Sequence, residues 1–242
     1  MINYIIQVIL FQGLFILFYD LFLSKETFFK QNRGYLIITL LLSFFIPKID
    51  FSVVSNEIVK NYIIQLPEVI LSPQSVIKKT FWYNFLNNFK TLFVIGVSIS
   101  FIIFMLKLIQ ILRLILSSRI KKEPGYNLVF LNNGLRAFSF FKYIFISEKI
   151  EGGKREQIIR HELIHVKQNH SVDLLIIEVL QVLMWFNPLL LVYKQRIMIL
   201  HEYIADANVA EETGRANLLI IYCQRYFRLS TFHLLINSTN TL

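Results

Sequence analysis

The run His161-Glu162-Leu163-Ile164-His165 puts two imidazoles four residues apart, with a carboxylate beside the first. On an α-helix such positions share one face, so both rings can turn a nitrogen toward a single cation. Zinc accepts imidazole nitrogen at about 2.0–2.1 Å. Glu162, one step round the helix, is then placed to hydrogen-bond a metal-bound water, acting first as general base and afterwards as acid to a leaving amine. Zinc brings the pKa of such a water from 15.7 down to about 7, which makes hydroxide available at neutral pH. Two histidines are not enough, because a hydrolytic zinc site holds its ion with three protein ligands. The third must come from elsewhere in the chain.

Three residues offer themselves. His170 follows closely, but the metzincin pattern requires Gly at 168 and His at 171, where this chain has Gln168 and Ser171; it is set aside. Glu178 sits inside an apolar run, where a hydrogen bond within the helix is its more ordinary role. Glu202, in the run His201-Glu202-Tyr203-Ile204-Ala205-Asp206, stands four residues before Asp206. That second helical pair lets Glu202 complete a His-His-Glu set while Asp206 holds the free ring nitrogen of a zinc histidine.

Between the two pairs lies VDLLIIEVLQVLMWFNPLLLVY, residues 172–193. As one helix it would measure about 33 Å at roughly 1.5 Å per residue, enough to cross a bilayer. Crossing would strand Glu202 on the far side from His161 and His165. Asp173, Glu178, Gln181 and Asn187 interrupt the stretch and Pro188 breaks its helix. The sequence therefore predicts a helix to about Trp185, a bend at Trp185-Phe186-Asn187-Pro188, and a return helix from Leu189 to about Glu212. Such a hairpin would bury one face on the histidine helix and another in the cytoplasmic leaflet or against membrane spans.

The elements that must carry this site are apolar throughout. The chain of 242 residues is 55% hydrophobic and 17% charged, with a mean hydropathy of +0.54. A soluble fold of this size could not hide so much apolar surface, so an integral membrane protein is expected. The fold class is mainly α: three transmembrane helices, at about 4–23, 34–48 and 91–112, followed by a cytoplasmic zinc peptidase domain with a small β-sheet. Residues 1–117 form the membrane domain, with an extracytoplasmic loop at about 49–90 holding a short amphipathic helix. Residues 118–242 form the peptidase domain. An aromatic cluster at 81–85 suits an interfacial belt.

Charge sets the orientation. Lys25, Lys30 and Arg33 fill the first short connection, and Arg113, Arg119, Lys121 and Lys122 follow the third span, so both regions are expected in the cytoplasm with the amino terminus outside. The net charge of +9 accompanies no nucleic-acid motif and reads as loops facing anionic lipid, with no direct nucleic-acid partner. A single cysteine, Cys223, excludes a disulfide or a thiolate cluster within one chain. No cleavable signal peptide is expected, since the start lacks a basic segment and a small-residue cleavage site.

Tyr126 to Ser147 contains two β-rich runs joined around Asn132-Asn133-Gly134, a hairpin-type turn signal. Gly152-Gly153 marks the boundary before the histidine helix. A peptide substrate is expected to add as a strand to an exposed sheet edge, and residues 140–147 are the candidate, with Tyr143, Ile144 and Phe145 at its centre; an ordinary core strand fits them equally. Asn187 could offer its amide to a substrate carbonyl, although capping the broken helix is the commoner job. Trp185 and Phe186 read as packing or interfacial anchors.

Taken together, IIRHELIHVKQNHSVD, WFNP at 185–188 and HEYIAD at 201–206 resemble the BlaR/MecR-type integral membrane metallopeptidases, which are gluzincins with a cytoplasmic zinc domain after three spans. The likeness is expected from the first span to about Asn237. It implies one zinc per chain on His161, His165 and Glu202, with Glu162 as catalytic base. It implies a bacterial inner-membrane location and a cytoplasmic or juxtamembrane protein substrate, a transcriptional repressor among the candidates, cut as the output of a signal. The lipid bilayer and a second copy of the chain complete the expected partners. A more distant likeness, to the HtpX-type and CAAX-processing membrane peptidases, rests on the same histidine helix and a Glu-x-x-x-Asp element and suggests a quality-control protease instead. A non-catalytic membrane signalling module is the reading from another class. The antibiotic-binding sensor domain of the best-known members has no counterpart here, and the chain stops at Leu242 where relatives usually continue to a fourth span.

Overall fold

A computed structural model describes residues 2–49, 73–131, 137–150 and 152–213. Helix α1 (Ile2–Phe18) runs into a π-helical turn, Tyr19–Leu23. Helix α2 (Phe29–Phe45) gives way to a 3-10 turn, Ile46–Lys48, and α3 spans Pro73–Ser117. Strands β1 (Arg119–Glu123), β2 (Tyr126–Leu131), β3 (Phe138–Phe140) and β4 (Tyr143–Ser147) follow. Three helices complete the described chain: α4 (Gly153–Lys167), α5 (His170–Leu183) and α6 (Leu189–Thr213).

Two stretches among the described residues are long and apolar enough to cross a membrane, Asn3–Leu23 and Phe89–Ser117. The second expected span, 34–48, falls on α2, which has 17 residues and carries Lys30 and Arg33 near its start. Pro47 then enters the 3-10 turn, leaving less uninterrupted apolar helix than the roughly 20 residues a bilayer core requires. The expected loop at 49–90 also changes character. Its residues 50–72 lie outside the described ones, and from Pro73 onward it is already α3. The aromatic cluster at 81–85 falls on that helix, its side chains outside the described set.

The sheet order is β1-β2-β4-β3. Strands β1 and β2 form a hairpin across Pro124 and Gly125, where a φ of +89° makes glycine the natural residue. Strands β3 and β4 form a second hairpin across Phe141 and Lys142. The expectation of a hairpin around Asn132-Asn133-Gly134 is corrected: those residues lie outside the described ones, and β2, which precedes them, pairs with β4 in parallel. Leu128, Ile144 and Ile146 alternate along β2 and β4 onto one face, as a period of two requires, and pack with Val166 of α4. Each such side chain contributes about 1.5–3 kcal/mol on full burial.

Helix α4 begins directly after Gly152, whose φ is +66°, so the glycine pair is the boundary the sequence suggested. The helix does not continue through His170. Asn169 adopts φ +53°, a left-handed conformation that Asn tolerates better than most residues, and α5 starts afresh one residue later. Between α5 and α6 the expected bend is present. Asn187 Oδ1 accepts the Leu189 N–H at 3.0 Å, satisfying one free amide at the head of α6, where Pro188 has no N–H to satisfy.

The described chain groups into two units. One comprises Met1–Lys25, Tyr35–Leu112 and Ile176–Tyr193; the other comprises Glu26–Gly34, Arg113–Leu175 and Lys194–Leu242. In the second unit Ile164 of α4 packs with Ala205 and Val209 of α6. Ile164 immediately precedes His165, and Ala205 stands one turn from Glu202. This contact therefore faces the two motif helices toward each other.

Candidate metal centre

His161, His165 and Glu202 each offer a donor atom within 4.8 Å of the other two. His161 Nε2 and His165 Nε2 are 3.2 Å apart. Glu202 Oε2 lies 3.5 Å from the first and Oε1 lies 3.6 Å from the second. A tetrahedral ion with bonds of about 2.0–2.1 Å keeps its ligands about 3.3–3.4 Å from one another, so the two imidazoles and the Glu202 carboxylate, one oxygen toward each ring, stand close to the spacing that one zinc requires. The donor chemistry fits as well, being two imidazole nitrogens and one carboxylate. The three side chains stay 11–27% exposed, which leaves a side of the cluster open to a water or a substrate, as a catalytic rather than a structural site needs.

Supporting groups surround the cluster. Asp206 Oδ1 stands 3.3 Å from His161 Nδ1, the position of a carboxylate that orients a ligand ring. Glu162 is buried on α4 between the two histidines. His170 Nδ1 meets His165 Nδ1 at 2.7 Å, and the His170 ring stacks on His201, centroids 3.8 Å apart and planes 6° from parallel. His201 Nε2 donates to Asp173 Oδ2 at 2.8 Å. Arg33 donates from Nε to the same oxygen at 2.6 Å, and from its terminal nitrogens to the Gln168 carbonyl and side chain.

These contacts decide protonation. Burial, then the nearby His201, His165 and Arg33, lower His170 to about 2 against a smaller opposing pull from Glu202, so this ring is neutral. Burial lowers His201 too, outweighing the hydrogen bond and charge of Asp173. Burial alone would raise Asp173, but the hydrogen bonds from His201 and Arg33 hold it below the usual carboxylate range. The result is a neutral pair of stacked rings beside a charged Asp–Arg pair.

Residues 139–217 match the BlaR1 peptidase M56 family. The M56 segment contains every residue of the cluster, together with His170, Asp173, His201 and Asp206. It is narrower than the likeness expected from the sequence, since the apolar helices α1, α2 and α3 lie outside it. The family is one of metallopeptidases, in keeping with the His-His-Glu group. No curated protein matches the chain at a significant level.

Other candidates fall elsewhere. Glu178 lies 3.8 Å from Lys107 and is outside the donor group, as is His170. Strand β4 has a neighbour on both sides, and Ile144 and Phe145 are fully buried. Tyr143, Ile144 and Phe145 are thus central-strand residues, and the expectation that they offer a free edge to a peptide is corrected. Among the described residues the edges are β1 and β3. Asn187 takes the capping role that was the commoner expectation: its Oδ1 caps α6, and its Nδ2 donates to Gln12 at 2.6 Å, so both ends of the amide have partners within the protein and neither is offered to a substrate carbonyl. Arg33, Asp173 and His201 escaped the sequence reading. Arg33 read there as a topogenic charge, and only Asp173's place in an otherwise apolar run hinted at a partner.

Proposed function

We propose that this chain is a membrane-embedded, zinc-dependent endopeptidase that cleaves a cytoplasmic or juxtamembrane protein. The observation that carries the reading is the meeting of His161, His165 and Glu202 at ligand spacing on two helices that are distant in sequence. The M56 match over the same residues and the two apolar helices support it. In this reading residues 1–117 are the membrane domain, α2 serves as a third, short crossing, the amino terminus is outside, and the site faces the cytoplasm of the bacterial inner membrane. Its output is signal transduction, with a repressor as the substrate class the M56 likeness suggests.

Zinc bound by the three residues would supply Lewis acidity, polarising the scissile carbonyl and easing ionisation of the attacking water. Glu162 takes a proton from that water as oxygen attacks the carbonyl carbon, and returns it to the amide nitrogen as the C–N bond breaks. Asp206 holds the His161 ring so that Nε2 stays aimed inward. The peptide is read as a strand added outside β3, the sheet edge that packs on α4, because main-chain hydrogen bonds hold any sequence extended.

Glu162→Gln separates the enzyme from a non-catalytic signalling module. The expected result in the purified protein is one bound zinc by elemental analysis and loss of cleavage by about 100-fold or more, the usual weight of a general base. Unchanged function in that variant would overturn the reading.

A further inference from the structure

A histidine that ligates through Nε2 as neutral imidazole carries its proton on Nδ1, and whatever that proton meets fixes the ring. In His161 the partner is a carboxylate. In His165 it is another imidazole, His170, at 2.7 Å between the two Nδ1 atoms. Two nitrogens that close share one proton, so with His165 facing the cluster through Nε2 it donates and His170 accepts. His170 then has its own proton on Nε2. That atom is buried with no protein partner among the described residues, so the His170 ring is oriented by His165 on its edge and by stacked His201 on its face.

His201 is held in turn by Asp173, and Asp173 by Arg33. Arg33 also grips the carbonyl of Gln168 at 2.9 Å, three residues beyond His165 at the end of the same helix. The chain of contacts therefore closes on itself, from His165 through His170, His201, Asp173 and Arg33 back to α4.

We infer that His170 is a positioning residue for the metal site, accepting the Nδ1 proton of His165 and kept in register by His201, Asp173 and Arg33. This rests on the reading of His161, His165 and Glu202 as zinc ligands. The role is separate from ligation, since His170 is no member of the donor group, and it gives the two ligand histidines unlike partners, one anionic and one neutral.

The test is zinc affinity of the full chain in detergent, measured by competition with a chromogenic chelator, for wild type, His170→Leu and His170→Gln. Removing the acceptor in His170→Leu is expected to weaken zinc binding by about 10–100-fold, the usual weight of such a partner. Restoring an acceptor in His170→Gln is expected to recover most of it, and the visible spectrum of the cobalt-substituted protein is expected to shift in the first variant and return in the second. Histidine-selective 15N NMR of zinc-loaded wild type is expected to show His170 protonated on Nε2, which decides the matter even where the Leu variant does not fold. Wild-type affinity in His170→Leu, equal weakness in both variants, or a proton on His170 Nδ1 would each overturn the positioning role while leaving the zinc site standing. A wild-type chain that binds no zinc would remove the metal reading and this role with it.

Discussion

Helix α3 and the α5–α6 hairpin both carry long apolar runs and put them to opposite use. Along Phe89–Ser117 only 6% of the most apolar window is buried, and Ile95, Ile99, Ile102 and Leu106 each leave half or more of their surface open. Along α5 and α6, Ile177, Leu190, Tyr193, Ile197, Leu200 and Ile204 are almost wholly buried. An open apolar surface of the first kind suits a membrane or another apolar partner; the second kind is a protein core. The difference lies in the polar residues between. Asp173, Asn187 and His201 are buried with hydrogen-bond partners, whereas Phe89–Ser117 keeps its charges to Lys90 at its start and to Lys107 and Arg113 in its second half.

The largest effect expected from this comparison is topological. Reporter fusions at positions 150 and 210 should register on the same face of the membrane, because His165 and Glu202 converge on one site. Opposite faces would end both the hairpin and the metal centre.

A finer contrast comes from deleting the same side chain in the two regions. Ile197→Ala in α6 removes a fully buried group and should cost about 2–5 kcal/mol of stability. Ile99→Ala in α3, half exposed to the surroundings, should change folding by no more than about 0.5 kcal/mol. Denaturant or thermal unfolding of both variants in the same detergent measures this. Equal losses would mean that α3 is packed as tightly as α6.

The smallest effect is in pH. His170, held near 2, and His201, also lowered, stay neutral in the folded chain, while an unfolded chain protonates them near ~6.5. Asp173, lowered as well, acts in the same sense near the ordinary carboxylate value. Below about pH 6.5 the unfolded state therefore binds more protons, so stability present above that value is lost progressively as pH falls. The zinc-free protein should show a falling Tm between pH 7.5 and 5, and His170→Gln should show a shallower fall. A wild-type Tm that rises on acidification would contradict the neutral histidine pair.

The site was more legible than the scaffold. His161 and His165, and Glu202 and Asp206, announce themselves because helical periodicity places i and i+4 on one face whatever the rest of the fold does. The bend at Asn187-Pro188 was legible for the same local reason. For strand β4 an edge and a core strand stayed equally open, since its run of apolar residues says that it is buried but not which strands flank it. The second helix, expected as a short crossing, shows 17 residues in α2, and its bounds differ from the expected ones because apolar runs are visible in a sequence and the ends of helices are not.

Local chemistry by itself thus determined that this chain is membrane-associated, that two helices carry metal-competent pairs, and that the segment between them is interrupted by polar residues and a proline. Only the tertiary structure decided that the pairs meet, through Ile164 packing on Ala205 and Val209. It alone tied His165 through His170, His201 and Asp173 to Arg33, more than a hundred residues away. Contacts between positions that far apart depend on how helices pack. No periodicity along the chain records that packing.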